Sequence, residues 1–239
     1  FFMIAACLNF SLHYLAFKNK SISVYKNDNE AYFFIFLIFL ISLITIFYIY
    51  NQSLDITLRE VIKNAFYAIS ISTTTGFTNS NYFVYVGFLP LLLILFSFIG
   101  GCAGSTAGGM KAIRILLLSK QGYRELRRLV HPNSKIKVKI GNTAVNERTL
   151  ETIWGFFAIY VFVFLTVLLL LMFSGLDFLT SFSAVAATIN NLGPGQGEVL
   201  YNYANISDIN KWILSLCMIV GRLEIFTLLV IFIPDFWKK

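Results

Sequence analysis

Residues 31–50, AYFFIFLIFLISLITIFYIY, hold twenty uncharged and mostly apolar side chains in succession. As a helix they extend ~30 Å, which matches a bilayer hydrocarbon core of roughly 30 Å. Tyr48 and Tyr50 end the run where an interfacial aromatic belt belongs. The composition agrees, with 57% hydrophobic and 13% charged residues against roughly 25% charged in a soluble domain. An all-α integral membrane protein is therefore expected, since a helix satisfies its own backbone polar groups in lipid.

The span belongs to a unit that recurs. Residues 56–70 carry Arg59, Glu60 and Lys63 early and then FYAISI. They are too short and too charged to span, and suit a re-entrant half-helix. SISTTTGFTNSN follows at Ser70–Asn81, then an apolar span from Phe83 to Ile99. Downstream, the span 152–173 leads into LDFLTSFSAVAA at 176–187, the loop TINNLGPGQG at 188–197 and a helix at 208–233, apolar from Trp212 to Ile233. Phe66 to Ile69 precedes the first loop much as Phe182 to Val185 precedes the second. Two like units predict quasi-symmetric packing, with the loops meeting on the axis. Residues 1–18 read as the end of an earlier helix. Because Phe1 opens inside an apolar run, the chain reads as a fragment without a targeting signal.

Each loop joins small hydroxylated or amide residues to glycine. Such a segment can run extended with its carbonyls toward a dehydrated cation, as in ion filters, and glycine permits the torsions this requires. A polar surface turn between membrane helices has the same composition, and the loops alone leave both readings open.

Charge placement orients the units. If the spans alternate, fifteen of the nineteen Lys and Arg fall on the side away from the loops: Lys18, Lys20, Lys26, the ten from Lys111 to Arg148, Lys238 and Lys239. By the positive-inside rule the loops face outward. The basic excess thus needs no nucleic acid, and residues 119–146 read as a cytoplasmic connector that can also dock a cytosolic partner.

Residues Gly100 to Gly109, GGCAGSTAGG, interrupt the span that precedes them. Glycine costs about 1 kcal/mol relative to alanine inside a helix, so five within ten residues predict a break. Backbone of that kind is tolerated at membrane depth only where protein or water covers it. A mobile obstruction in a pore is the reading, with close small-residue helix packing as the alternative. Arg222 falls within the last span, where a charge faces a cavity or a partner. Glu224 projects away from it on a helix, so the two are not expected to pair. Cys7, Cys102 and Cys217 lack metal-type spacing and read as packing residues. His13 reads as a hydrogen-bonded structural residue.

An enzyme needs a nucleophile, an acid–base pair or a metal cluster within reach of its substrate. The loops hold no His, Cys or Lys at such spacing, and Asp177, Glu198 and Asp208 are scattered. No enzyme is expected. A broken-helix secondary transporter stays as a rival, although the break is uncharged until Lys111. A cation channel-like protein fits best.

STTTGF, GGCAGSTAGGMK, TINNLGPGQG and GRLEIFTLLVIFIPDFW together resemble the C-terminal half of TrkH-type potassium uptake proteins, in the Trk/Ktr/HKT superfamily. The resemblance covers essentially the whole chain. It implies four potassium-channel-like repeats of helix, pore helix, filter loop and helix around one pore. Residues 1–18 would end repeat two, 31–118 would form repeat three (span 31–50, pore helix 56–70, filter 72–78, broken helix 83–118), and 147–239 repeat four (span 152–173, pore helix 176–187, filter 188–195, helix 208–233). The filter residues carried over are Thr74, Thr75 and Gly76, then Asn190, Asn191 and Gly193, with Gly195 as a substitute for Gly193. The gate loop is Gly100, Gly101, Gly104, Ser105, Thr106, Gly108 and Gly109, and Arg222 the pore barrier.

The implied function is potassium uptake across a bacterial inner membrane, with potassium the only bound ion and no organic cofactor. The implied partners are a second copy in a homodimer and a cytosolic TrkA-like nucleotide-binding ring. A sodium-permeable or ion-coupled member of the superfamily is the alternative.

Overall fold

Asp28 accepts the Ala31 N–H at 2.7 Å and so starts α4, Asn29–Gln52. The computed structural model describes residues 1–52, 57–78 and 87–238. The expected pore-helix start at residue 56, the loop end at Asn81, the span start at Phe83 and Lys239 lie outside these residues.

Ahead of α4 come α1 (Phe2–Cys7), α2 (Phe10–Asn19) and α3 (Ser23–Asn27). After it come α5 (Leu58–Ser72), α6 (Phe88–Ser97) and α7 (Ala112–Val130). The remainder of the chain forms α8 (Glu147–Phe173), α9 (Phe178–Ile189), α10 (Asp208–Arg222), α11 (Ile225–Val230) and α12 (Pro234–Trp237). A two-residue antiparallel pair, β1 (Lys139–Ile140) with β2 (Thr143–Ala144), lies between α7 and α8.

The helices start where local chemistry says they should. Thr57 and Glu60 form a reciprocal capping box on α5, and Asn146, Asp177 and Ser207 cap α8, α9 and α10. Each such cap satisfies an amide that the helix cannot. Both α4 and α8 are long and apolar enough to cross a membrane. Their outer faces expose Phe36, Phe39 and Phe47, and Phe162, Leu165 and Leu169, an apolar surface that lipid would cover.

Four clusters hold the described elements together, one of them joining Leu117 of α7 to Val138 and to Leu150 and Ile153 of α8. Phe156, Tyr160, Phe164 and Leu171 of α8 pack on Val185 and Ile189 of α9 and on Leu214 of α10. Ile41 of α4, Tyr67 and Ile71 of α5 and Leu93 of α6 form the equivalent cluster, which also takes Leu192 from the second loop. The fourth joins Cys7, Leu12, Phe34, Cys102 and Ala107, and so seats the glycine-rich segment on the first helices and α4.

Several sequence expectations are corrected. The first helix breaks at Leu8–Asn9, where Asn9 accepts the Ser11 N–H and caps α2. Carbonyls released there serve the glycine segment: Cys102 donates to Cys7 O at 2.8 Å, and Thr106 donates to Ala6 O. The predicted broken helix 83–118 interrupts over a longer stretch, from Phe98 to Lys111. Residues 119–146 are no simple connector, since α7 continues to Val130 and a β-pair follows. The half-helices run two residues beyond their predicted ends, to Ser72 and Ile189, so the second loop begins at Asn190.

The final helix is also broken. Glu224 sits at φ 57° between α10 and α11, a left-handed conformation that costs a non-glycine residue about 1–3 kcal/mol. Its carboxylate binds Arg114, whose guanidinium also lies 4.1 Å over the Phe156 ring.

Candidate ion filter and gate segment

The two loops have one backbone design. At the end of α5, Thr73 is the helix cap, Thr74 has φ 53°, and Thr75 and Gly76 both donate to Ser70 O. At the end of α9, Asn190 is the cap, Asn191 has φ 53°, and Leu192 and Gly193 both donate to Ala187 O. Gly76 and Gly193 then take φ 75° and 101°, a region that glycine enters without steric cost. The register therefore pairs Thr73-Thr74-Thr75-Gly76 with Asn190-Asn191-Leu192-Gly193. Gly193 is the counterpart of Gly76. Gly195 instead lies against Val199 and Ser183, outside this motif.

Matching Phe66 to Phe182 puts the half-helices one residue out of this register, which is why the sequence left two glycines in play. It also passed over Thr73 and Leu192, whose positions follow only from the hydrogen bonds.

Because the loop amides turn back to their helix ends, the carbonyls are left over. Among the described residues, no donor reaches the carbonyl oxygens of Thr74, Thr75, Gly76, Asn191 or Leu192. Backbone oxygens in a protein interior are nearly always paired, so a row of unpaired ones suits a cation in place of its hydration shell. The loops also approach each other: a Cβ on Gly76 would lie 2.2 Å from Leu192 O.

Side chains brace this arrangement from outside. Asn190 is fully buried; its Oδ1 accepts from the Tyr160 hydroxyl and its Nδ2 donates to Ser97 Oγ at 3.0 Å. Its amide is thus committed to holding α6, α8 and the loop together. Asn191 Nδ2 donates to Met218 O at 3.3 Å, and the Tyr203 hydroxyl donates to Gly193 O at 2.9 Å. Ser70 Oγ donates to Phe77 O at 2.7 Å.

The Gly100–Gly109 run touches both loops. Gly108 N donates to Thr74 Oγ1 at 2.8 Å, and a Cβ at Gly108 would lie 1.8 Å from Asn190 O. Gly100 is confined as closely, by Gly108 O, and Gly101 less so, by Ala107 and Ser105. Gly104 faces the Asn9 side chain, its carbonyl accepting from Phe10 N, and Met110 N donates to Phe98 O. Carbonyls and side chains distant in sequence thus hold the run in place.

Cations converge on its tip. Lys111 Nζ donates to Ser105 O and Ala107 O, and Arg222 donates to Thr106 O at 2.9 Å. Arg222 stands at the C-terminus of α10 rather than mid-helix, exposed, and Glu224 pairs with Arg114 instead, although the helix that would have turned it away from Arg222 ends between the two. The sequence assigned Lys111 to the basic side only and gave Glu30 no role. Both are charged residues beside apolar segments, and that is the one signal that could have marked them. The three cysteines are free and buried. His13 bonds Tyr25 OH and Ala5 O.

Comparison with known proteins adds the last observations. The TrkH family, described as cation transport protein, matches residues 1–239. The Trk system potassium uptake protein TrkH of Vibrio parahaemolyticus is 46% identical over 242 residues, covering 100% of this chain and 50% of that protein. The TrkH of Salmonella typhimurium is 45% identical over 240 residues with the same coverage. The Trk system potassium uptake protein TrkG of Escherichia coli is 34% identical over 238 residues, covering all of this chain and 49% of the relative. The crystal structure of the potassium transporter TrkH from Vibrio parahaemolyticus aligns at TM-score 0.93 and 45% identity, over 99% of this chain and 51% of that one. The chain spans about half the length of the curated relatives it matches.

Proposed function

Because the chain belongs to the TrkH family of cation transport proteins, we propose that its two loops supply half of the filter of a potassium-uptake pore. What carries this reading is the set of loop carbonyls at Thr74, Thr75, Gly76, Asn191 and Leu192 that no donor satisfies among the described residues. A potassium ion entering the loops exchanges water oxygens for these oxygens. Thr73 and Asn190 support the loops from below, and Gly76 and Gly193 set the turn. Selectivity for potassium over sodium is inferred from the relatives, which are named potassium uptake proteins.

Residues Gly100–Gly109 act as the gate beneath the filter. Arg222, with its guanidinium on the Thr106 carbonyl, places a fixed positive charge in the ion path. Residues 31–118 and 147–239 would be the last two of four filter-bearing repeats, with 1–18 ending the second. The protein sits in a bacterial inner membrane with its loops outward, as a homodimer controlled by a cytosolic nucleotide-binding ring that meets the basic connector.

The test is potassium-dependent growth and rubidium uptake with the full-length protein in cells lacking their own potassium uptake. Restored growth at limiting potassium, with uptake that excess sodium does not suppress, supports the reading. Protein present in the membrane without uptake overturns it.

A further inference from the structure

Glu30 lies in the first turn of α4, 8% exposed, and neither the filter nor the barrier uses it. One of its oxygens, Oε1, accepts two amides that are far away in sequence: Ala103 N at 2.7 Å and Ile113 N at 3.1 Å. We propose that Glu30 is the positioning residue of the gate, stapling both ends of the loop Ala103–Ile113 so that only the tip between them moves. This rests on reading the glycine run as a gate.

A buried carboxylate persists only where charge-assisted hydrogen bonds replace its water. Here the donors come from the two ends of one loop. Ile113 is in the first turn of α7, and Lys111, the residue that precedes that helix, provides no side-chain cap. Glu30 fills that role from another helix, where the helix dipole also favours a negative charge. Two further bonds close the same base: Cys102 N to Cys7 O, and Ala112 N to Gly101 O at 2.9 Å.

The tip is held differently. Ser105, Thr106 and Ala107 present their carbonyls to the Lys111 ammonium and the Arg222 guanidinium, and Thr106 and Gly104 are exposed. The Thr106 and Gly108 amides add neutral hydrogen bonds, to Ala6 O and Thr74 Oγ1, which are weaker than the charge-assisted bonds of a buried carboxylate to two amides. The base is thus a fixed hinge and the tip its moving end.

The experiment compares Glu30→Gln and Glu30→Asp in the full-length protein, both mild enough to retain the fold. Glutamine keeps an acceptor oxygen at the same reach, whereas aspartate withdraws it by one methylene. Modification of Cys102 and Cys217 by a small maleimide is followed by mass spectrometry, with resting potassium flux and the potassium-to-sodium ratio measured in parallel. Both cysteines are buried, but Cys102 packs beside the loop base and Cys217 in another cluster.

The staple predicts that Glu30→Asp raises Cys102 labelling about tenfold or more, the change for one lost charge-assisted bond, and leaves Cys217 protected. Resting flux should rise at an unchanged ion ratio, and Glu30→Gln, which keeps the acceptor oxygen but not its charge, should lie between Glu30→Asp and the parent in both values. Cys102 still protected in Glu30→Asp, both cysteines exposed together, exposure without a change in flux, or Glu30→Gln behaving as Glu30→Asp each overturn the proposal. Thiol protection is read without flux. Absence of potassium transport in every variant therefore counts against the pore, and an unmoved Cys102 counts against the staple.

Discussion

Gly76 and Leu192 meet where the two loops converge, with the Leu192 carbonyl oxygen 2.2 Å from the position that a Cβ on Gly76 would take. Nothing larger than hydrogen fits, and the residue's φ of 75° adds a second barrier to substitution. Each loop therefore sets the position of the other's oxygens.

Gly76→Ala should lower potassium-over-sodium selectivity about tenfold while the protein still inserts. The left-handed backbone alone costs an L-residue about 1–2 kcal/mol, and the Leu192 oxygen must also shift. Relative permeability from ion-substitution flux is the measurement. An unchanged ratio removes Gly76 from the filter.

Gly108→Ala should be the more destabilising change, because its Cβ meets the Asn190 carbonyl at 1.8 Å. Overpacking of this kind costs about 1–3 kcal/mol. Gly122 in α7 has nothing within 4 Å, and Gly122→Ala should be neutral or stabilising by up to about 1 kcal/mol. Thermal denaturation in detergent compares the two, and equal melting points would contradict the close contact.

Tyr160→Phe should act on the filter from a distance. Loss of the hydroxyl leaves Asn190 Oδ1 buried without its donor, at a cost of about 1–3 kcal/mol. Reduced selectivity together with reduced stability is expected. Loss of stability alone would make Asn190 a core residue with no hold on the loop.

Arg222→Ala should raise potassium flux and leave selectivity intact. A permeating cation about 7 Å from a fixed charge, at an effective dielectric of about 20, is repelled by ~2.4 kcal/mol. That sets an upper limit of roughly fifty-fold on the gain in rate. The side chain is exposed and bonded to one carbonyl, so little stability should be lost. Arg222→Lys should stay near the parent. A drop in melting temperature without a gain in flux would identify a structural residue instead.

Much of the fold was legible in the chain because its causes are local. An uncharged run such as residues 31–50 has to be a span, Thr57 with Glu60 has to start a helix, and a glycine run has to interrupt one. Helices cover the runs read as half-helices, α5 ending at Ser72 and α9 at Ile189, with ends shifted by about two residues, the usual uncertainty of helix boundaries.

The sequence by itself determined the membrane class and pointed to the two loops that carry the candidate filter. Only the tertiary structure decided that Gly193 rather than Gly195 answers to Gly76, since that register is written in bonds to Ser70 O and Ala187 O. It alone decided the break at Glu224, whose partner Arg114 is 110 residues away, and the contacts of Glu30, which reaches amides 73 and 83 residues along the chain. Periodicity and capping record interactions within a few residues. A carboxylate satisfied from a distant loop leaves no such local pattern, because only the packed chain brings donor and acceptor together.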